Sequence, residues 1–88
     1  MAEKYRLRLK PVVVRDLEAA PVKLRRRLLT RIRRLASDPV PKESDCISGG
    51  GRYRLRYGGW RIVYAVDEES CTVRVVKVNQ RRPAVESL

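Results

Sequence analysis

Eighty-eight residues, 43% of them apolar, suffice for one domain around a single core and are too few for two. The formal net charge is +11, and sixteen of the twenty-one cationic residues are arginine. Arginine's planar fork suits bidentate phosphate contact, so nucleic acid is the expected partner class, with an acidic protein partner equally compatible. No apolar run reaches the roughly 18 residues of a membrane span. The opening MAEKYRLRLK has no apolar centre of the kind a signal peptide needs, and a cytoplasmic location is expected. Cys46 and Cys71 lack CxxC spacing, and the chain has no histidine, so the usual zinc ligand set is missing. They read as reduced structural thiols.

Taken in order, Tyr5–Lys10 alternates Tyr5, Leu7 and Leu9 against Arg6, Arg8 and Lys10, the period of a first strand. Val12–Ala20 carries two signals. The run Val12-Val13-Val14 favours a strand, whereas Val13, Leu17 and Ala20 share one helical face; with Leu-Glu-Ala-Ala following, a short helix is expected. Pro21–Ser37 is the strongest helical stretch. Leu24, Leu28, Ile32 and Leu35 make one stripe, widened by Leu29 and Ala36, and Lys23, Arg26, Arg27, Arg31, Arg33 and Arg34 fill most of the rest. Such a run of cations is more often the solvated face of an amphipathic helix than a phosphate site, and no aromatic residue is interleaved to stack bases. Asp38–Gly51, with Pro39, Pro41 and three consecutive glycines, reads as a loop.

The centre of the chain is Arg52–Val66. Two alternating runs flank Gly58-Gly59, the signature of a hairpin whose two-residue turn needs positive φ. That turn sets the register: Tyr57 faces Trp60, Arg56 faces Arg61, Leu55 faces Ile62 and Arg54 faces Val63. Tyr53, Tyr57, Trp60 and Tyr64 fall on the apolar face and read as core. Like charges directly opposite each other destabilise a sheet. The Arg54, Arg56, Arg61 cluster therefore hints at an anionic ligand, although arginines on a wet sheet face are also common. A polar turn at Asp67–Ser70 leads to a last strand, Cys71–Asn79. If Val66 pairs with Cys71, Tyr64 meets Val73 and Ile62 meets Val75. Gln80–Leu88 is a tail. The expected fold is α+β, in the order β-α-α-β-β-β. A helical hairpin packs on one face of an antiparallel-rich sheet, and the other face is open and basic.

The order and spacing of these pieces resemble the RelE/ParE toxin superfamily, the toxic halves of type II toxin–antitoxin pairs. The likeness rests on Arg15–Leu17 (RDL) and Pro21, Leu35–Pro39 (LASDP), the glycine-rich approach, YRLR and GGWRIVYAVD within Tyr53–Asp67, and a valine-rich last strand ending in arginines. It covers nearly the whole chain and implies one toxin domain over residues 1–88, with 80–88 as its tail. RelE-type members cut messenger RNA in the ribosomal A site without metal or cofactor, and an antitoxin neutralises them. The resemblance places Arg54, Arg56, Arg61 and Arg81 at the family's catalytic basic positions. Arg52, Arg74, Lys77 and Arg82 are then the expected RNA- or ribosome-binding cations. The departures are also informative. No tyrosine follows Tyr64, Gln80 stands where some relatives have histidine, and Asn79 stands where glycine is common.

Ribonuclease chemistry of this type uses the 2′-hydroxyl as nucleophile. It needs a base, positive charge on the phosphorane-like transition state, and an acid for the 5′-oxygen. Guanidiniums meet the second need, but arginine stays protonated and is a poor base. Glu86 is the candidate base, if the tail folds over the sheet. Two functions remain open: a ribosome-dependent endoribonuclease, and a non-enzymatic toxin or binder, such as a ParE-like gyrase inhibitor or a degenerate toxin that only binds nucleic acid or antitoxin. The expected partners are an acidic antitoxin, the ribosome and messenger RNA.

Overall fold

A computed structural model describes residues 5–80, without the side chain of Ser48. The elements are β1 (Arg6–Leu9), α1 (Pro11–Ala19), α2 (Val22–Arg34), β2 (Ser44–Ser48), β3 (Arg52–Tyr57), β4 (Trp60–Asp67) and β5 (Thr72–Gln80). The five strands form one sheet in the order β1-β5-β4-β3-β2. Its pairings are antiparallel except for the parallel contact of β1 with β5.

Both helices lie on one face because their apolar stripes have nowhere else to go. Val13 and Leu17 of α1, and Leu28 and Ile32 of α2 with Leu35 just beyond it, share one core with Leu55, Ile62, Tyr64, Val73, Val75 and Val78. Pro11 opens α1, where its missing N–H costs nothing. The helix resolves the ambiguity of the Val12–Ala20 stretch: Val13 is buried, while Val12 and Val14 remain exposed. After Arg34 the helix gives way to a turn over residues 35–37, so α2 stops short of Ser37.

The central hairpin has the register that its turn length dictates, including Tyr57 opposite Trp60 and Arg56 opposite Arg61. Of its two glycines only Gly58 takes a positive φ, 58°. Gly51 is a sterically required glycine. Its φ is 80°, and a Cβ there would sit 2.8 Å from the Val66 carbonyl oxygen. That approach lets the Val66 N–H donate to the Gly51 carbonyl at 2.9 Å and starts β3 in register.

Two expectations are corrected. Residues 38–51 are not all loop: Ser44–Ser48 forms an edge strand antiparallel to β3, with a register irregularity between Cys46 and Ser48. Short, polar and enclosed by prolines and glycines, it carries little intrinsic strand signal, and pairing with β3 makes it a strand. The β4–β5 register also differs. Val66 pairs with Val73, Tyr64 with Val75 and Ile62 with Val78, with a shift between Val63 and Tyr64. The cause is a turn of the same length placed one residue later, at residues 68–71, which ends at Cys71 in left-handed backbone (φ 50°), together with the extra residue Val76 in β5. The bulge falls where the adjacent Val75 and Val76 interrupt the alternation, so that Val73, Val75 and Val78 are the buried positions. Cys46 and Cys71 are both exposed, so neither thiol fills the core.

Candidate nucleic-acid interface

Burial of Tyr53, Leu55 and Tyr57 toward the helices turns Arg52, Arg54 and Arg56 to the opposite, outer face of β3. The hairpin places Arg61 across from Arg56, and Val63 and Ala65 across from Arg54 and Arg52. On the far side of β4, β5 sets Asn79 beside Arg61, Lys77 beside Val63 and Arg74 beside Ala65. The parallel β1 then adds Arg8 next to Arg74 and Arg6 next to Thr72.

The outer face is thus a low floor, Val63 and Ala65, between two rails of cations. Arg52, Arg54 and Arg56 stand on one side and Arg74 and Lys77 on the other. With neighbouring strands 4.7–4.9 Å apart, the rails are about 10 Å apart. Arg61 closes one end of the floor.

Edge strand β2 contributes a countercharge. Asp45 lies opposite Arg54, with its carboxylate 3.7 Å from Arg54 Nη2 and 4.0 Å from Arg56 Nε. The Asp45 side chain is 55% exposed and that of Arg54 27%, so the ion pair contributes little to stability, on the order of 0–1 kcal/mol. Arg54 Nε is buried without a hydrogen-bond partner among the described residues, as is the side-chain oxygen of Asn79 beside Arg61. The polar groups of this face are not fully satisfied within the sheet.

The aromatic residues belong to the other side. Tyr64 is fully buried, stacks on Tyr53 with ring centroids 5.8 Å apart, and donates its hydroxyl to the Pro39 carbonyl at 2.7 Å. Burial pushes its pKa up to about 12, against the opposing influence of the Ser44 hydroxyl. Tyr53, Tyr57 and Trp60 are partly buried against the same core. None of these side chains can act as a base on the arginine face.

The helix cations form a separate surface. Arg31 contacts Glu43 at 3.3 Å and lies over the Tyr57 ring, 5.4 Å from its centroid. A hydrogen bond to its own backbone, then the Arg31 guanidinium, hold the Glu43 carboxyl below its usual range. Arg31 and Glu43 line a cleft of about 350 Å³ near Leu35 and Pro41, on the helix side of the sheet. A second cleft adjoins Trp60 and Pro21. No outer-face arginine lines either of these two clefts.

Of the residues expected to form the site, Arg54, Arg56 and Arg61 come together, and Arg52, Arg74 and Lys77 flank them on the same face. Arg81, Arg82 and Glu86 lie outside the described residues. Asp45 is the residue that sequence reasoning missed. Its signal was confined to a Ser-Asp-Cys-Ile-Ser run whose strand character depends on β3.

Comparison with known proteins follows the same lines. Residues 2–84 match the family model described as the ParE toxin of the type II toxin–antitoxin system parDE. No curated protein sequence matches the chain. Among solved structures, the chain is similar to the archaeal RelE–RelB complex from Pyrococcus horikoshii OT3, at 29% identity and TM-score 0.80, covering 92% of this chain and 99% of that one. It is also similar to the isolated RelE toxin of E. coli, at 21% identity and TM-score 0.79, covering 94% and 92%. The toxin–antitoxin complex RelBE2 of Mycobacterium tuberculosis matches at 23% identity and TM-score 0.77, covering 89% and 99%.

Proposed function

The chain belongs to the ParE toxin family of type II toxin–antitoxin systems, and from that premise we propose that it is a ribosome-dependent endoribonuclease acting on messenger RNA. The observation that carries this reading is the directly opposed pair Arg56 and Arg61, with Arg54 diagonal to Arg61 on the same open face. A sheet built for stability alone gains nothing from opposing two guanidiniums. A site for a phosphate whose charge grows in the transition state gains a great deal.

In this mechanism the RNA backbone lies along the Val63–Ala65 floor. Arg54, Arg56 and Arg61 hold the scissile phosphate, and Arg52, Arg74 and Lys77 steer the flanking phosphates. Arg81 is proposed to add a fourth guanidinium from beyond β5, with Arg82 beside it. The 2′-oxygen attacks the adjacent phosphorus and the 5′-oxygen leaves. The guanidiniums stabilise the non-bridging oxygens throughout. The ribosome supplies alignment of the strand, which is worth several orders of magnitude when reacting atoms are held in line.

The neutralising partner is proposed to be an acidic antitoxin segment that covers the arginine face or extends the sheet at β1 or β2, which are its edge strands among the described residues. An antitoxin complex that left Arg54, Arg56 and Arg61 fully open would refute masking as the means of neutralisation.

Primer extension on a translated message after induction tests the activity. Cuts within codons are expected. A second reading, a non-enzymatic toxin of the gyrase-inhibiting kind, is favoured by the ParE description of the family model and by the scarcity of bases among the described outer-face residues. It predicts intact messages with signs of DNA damage.

A further inference from the structure

We propose that Asp45 is the general base of the RNA-cleaving reaction, an inference that rests on the endoribonuclease reading above. The mechanism has a gap that arginines cannot fill: a guanidinium at ordinary pH has no lone pair free to take the 2′-hydroxyl proton. Tyr53, Tyr57 and Tyr64 point into the core. The chain has no histidine, and no lysine stands on β3 or β4. Strand pairing puts one carboxylate into the cluster. Asp45 lies opposite Arg54, within 4.0 Å of both Arg54 and Arg56, and more than half of its side chain is exposed.

Position and charge both suit the role. A phosphate held by Arg54 and Arg56 brings its neighbouring 2′-hydroxyl to the carboxylate that already shares those guanidiniums. The groups facing Asp45 are Arg54 and Arg56 on β3, with Arg61 beyond them on β4. β2 is the sheet edge among the described residues, none of which forms a strand on its other side. Glu43, just before β2, is engaged with Arg31 on the helix side. A carboxylate oxygen can accept a proton, which the guanidiniums beside it cannot.

The step balances without a further reactant except water. As the 2′-oxygen bonds to phosphorus, Asp45 takes its proton. The bond from phosphorus to the 5′-oxygen breaks, and that oxygen takes a proton from water. The products are a 2′,3′-cyclic phosphate and a 5′-hydroxyl, and Asp45 returns its proton to solvent.

Asp45→Asn removes the base while keeping size and polarity. Two measurements on programmed ribosomes separate a base from a structural partner: the cleavage rate across pH, and affinity for a message carrying a 2′-deoxynucleotide at the scissile position, which lacks the nucleophile. The expected result is cleavage slower by about 10²-fold or more, loss of the acid limb of the rate profile, partial recovery in Asp45→Glu, and deoxy-message affinity unchanged or tighter. Cleavage at or above the wild-type rate overturns the proposal, since Asp45 would then be a bystander or a competitor of the phosphate. Cleavage and deoxy-message affinity falling together also overturn it, because Asp45 would then merely hold the arginines. Wild-type protein that leaves every translated message intact removes the endoribonuclease reading and this proposal together. A wild type that cuts beside an Asp45→Asn variant that cuts equally well removes only this one.

Discussion

Arg61→Ala separates what the outer face does for the fold from what it does for a ligand. Arg61 sits directly across from Arg56, and the Asp45 carboxylate is engaged with Arg54 and Arg56. Like charges directly opposite one another cost something in the range of roughly 0.2–1 kcal/mol. Removing one returns that amount, less the packing lost with the half-buried side-chain stem. In a domain of this size about 1 kcal/mol corresponds to roughly 4–8 °C, so the melting temperature should hold or rise by a few degrees. Cleavage of a translated message should fall by about 10²–10³-fold, the loss typical of a single oxyanion-hole donor. Leu55→Ala is the contrasting control. Leu55 neighbours Arg54 and Arg56 on β3 but is 1% exposed in the core, and its truncation should cost roughly 2–5 kcal/mol. Thermal melts run beside ribosome-programmed cleavage assays distinguish a loss of chemistry from a loss of fold. A folded Arg61→Ala protein that cuts at the wild-type rate would refute the assignment of Arg61 to the phosphate.

Three further outcomes can be checked independently. Gly51→Ala should destabilise by about 1–3 kcal/mol in a denaturant titration, because the methyl group would meet the Val66 carbonyl at 2.8 Å in a backbone already at φ 80°. Tyr64 has a pKa near 12 in the fold against 10 when unfolded, so its burial contributes stability that is full below pH 10 and lost between 10 and 12; Tyr64→Phe should flatten that alkaline decline relative to wild type, and an unchanged slope would show that the hydroxyl does not titrate with unfolding. Binding to single-stranded RNA should weaken with salt at a log–log slope of roughly −0.7 per phosphate engaged, and Arg33→Ala on the exposed helix face should leave that slope unaltered.

The hairpin was readable in the sequence because two constraints coincide there. Period-2 alternation fixes the faces, and a two-residue glycine turn fixes the pairing, so the juxtaposition of Arg56 with Arg61 follows from residues 52–66 alone. The helical stripes were readable for a similar reason, since Leu28 and Ile32 at helical spacing can be buried together only on one side. The β4–β5 pairing was misread for two reasons: nothing in the sequence marks Cys71 as a positive-φ residue, and the bulge shows only as the adjacent Val75 and Val76 that interrupt the alternation of β5. Strand β2 escaped for a different reason. Ser44–Ser48 has neither the alternation nor the β-branched content of a strand, and only the free edge of β3 organises it.

That last omission changes the chemistry more than the fold. Without β2, no carboxylate among the described residues stands beside Arg54 and Arg56, and guanidiniums alone can bind and stabilise an anion but cannot remove a proton from it. With β2 paired to β3, the alternation of Ser44, Asp45 and Cys46 puts the acidic side chain on the arginine side and its two neighbours on the other. A one-residue slip of the edge strand would turn Asp45 toward the core side and leave Arg54 and Arg56 without their countercharge. The register of this short strand therefore decides whether the face is only a phosphate-binding surface or one that also carries a base. Gly51 helps to hold that register from the other end of the connection, through the hydrogen bond its carbonyl accepts from Val66 as the chain enters β3. The part of the sequence least legible as structure is thus the part on which the proposed proton transfer depends.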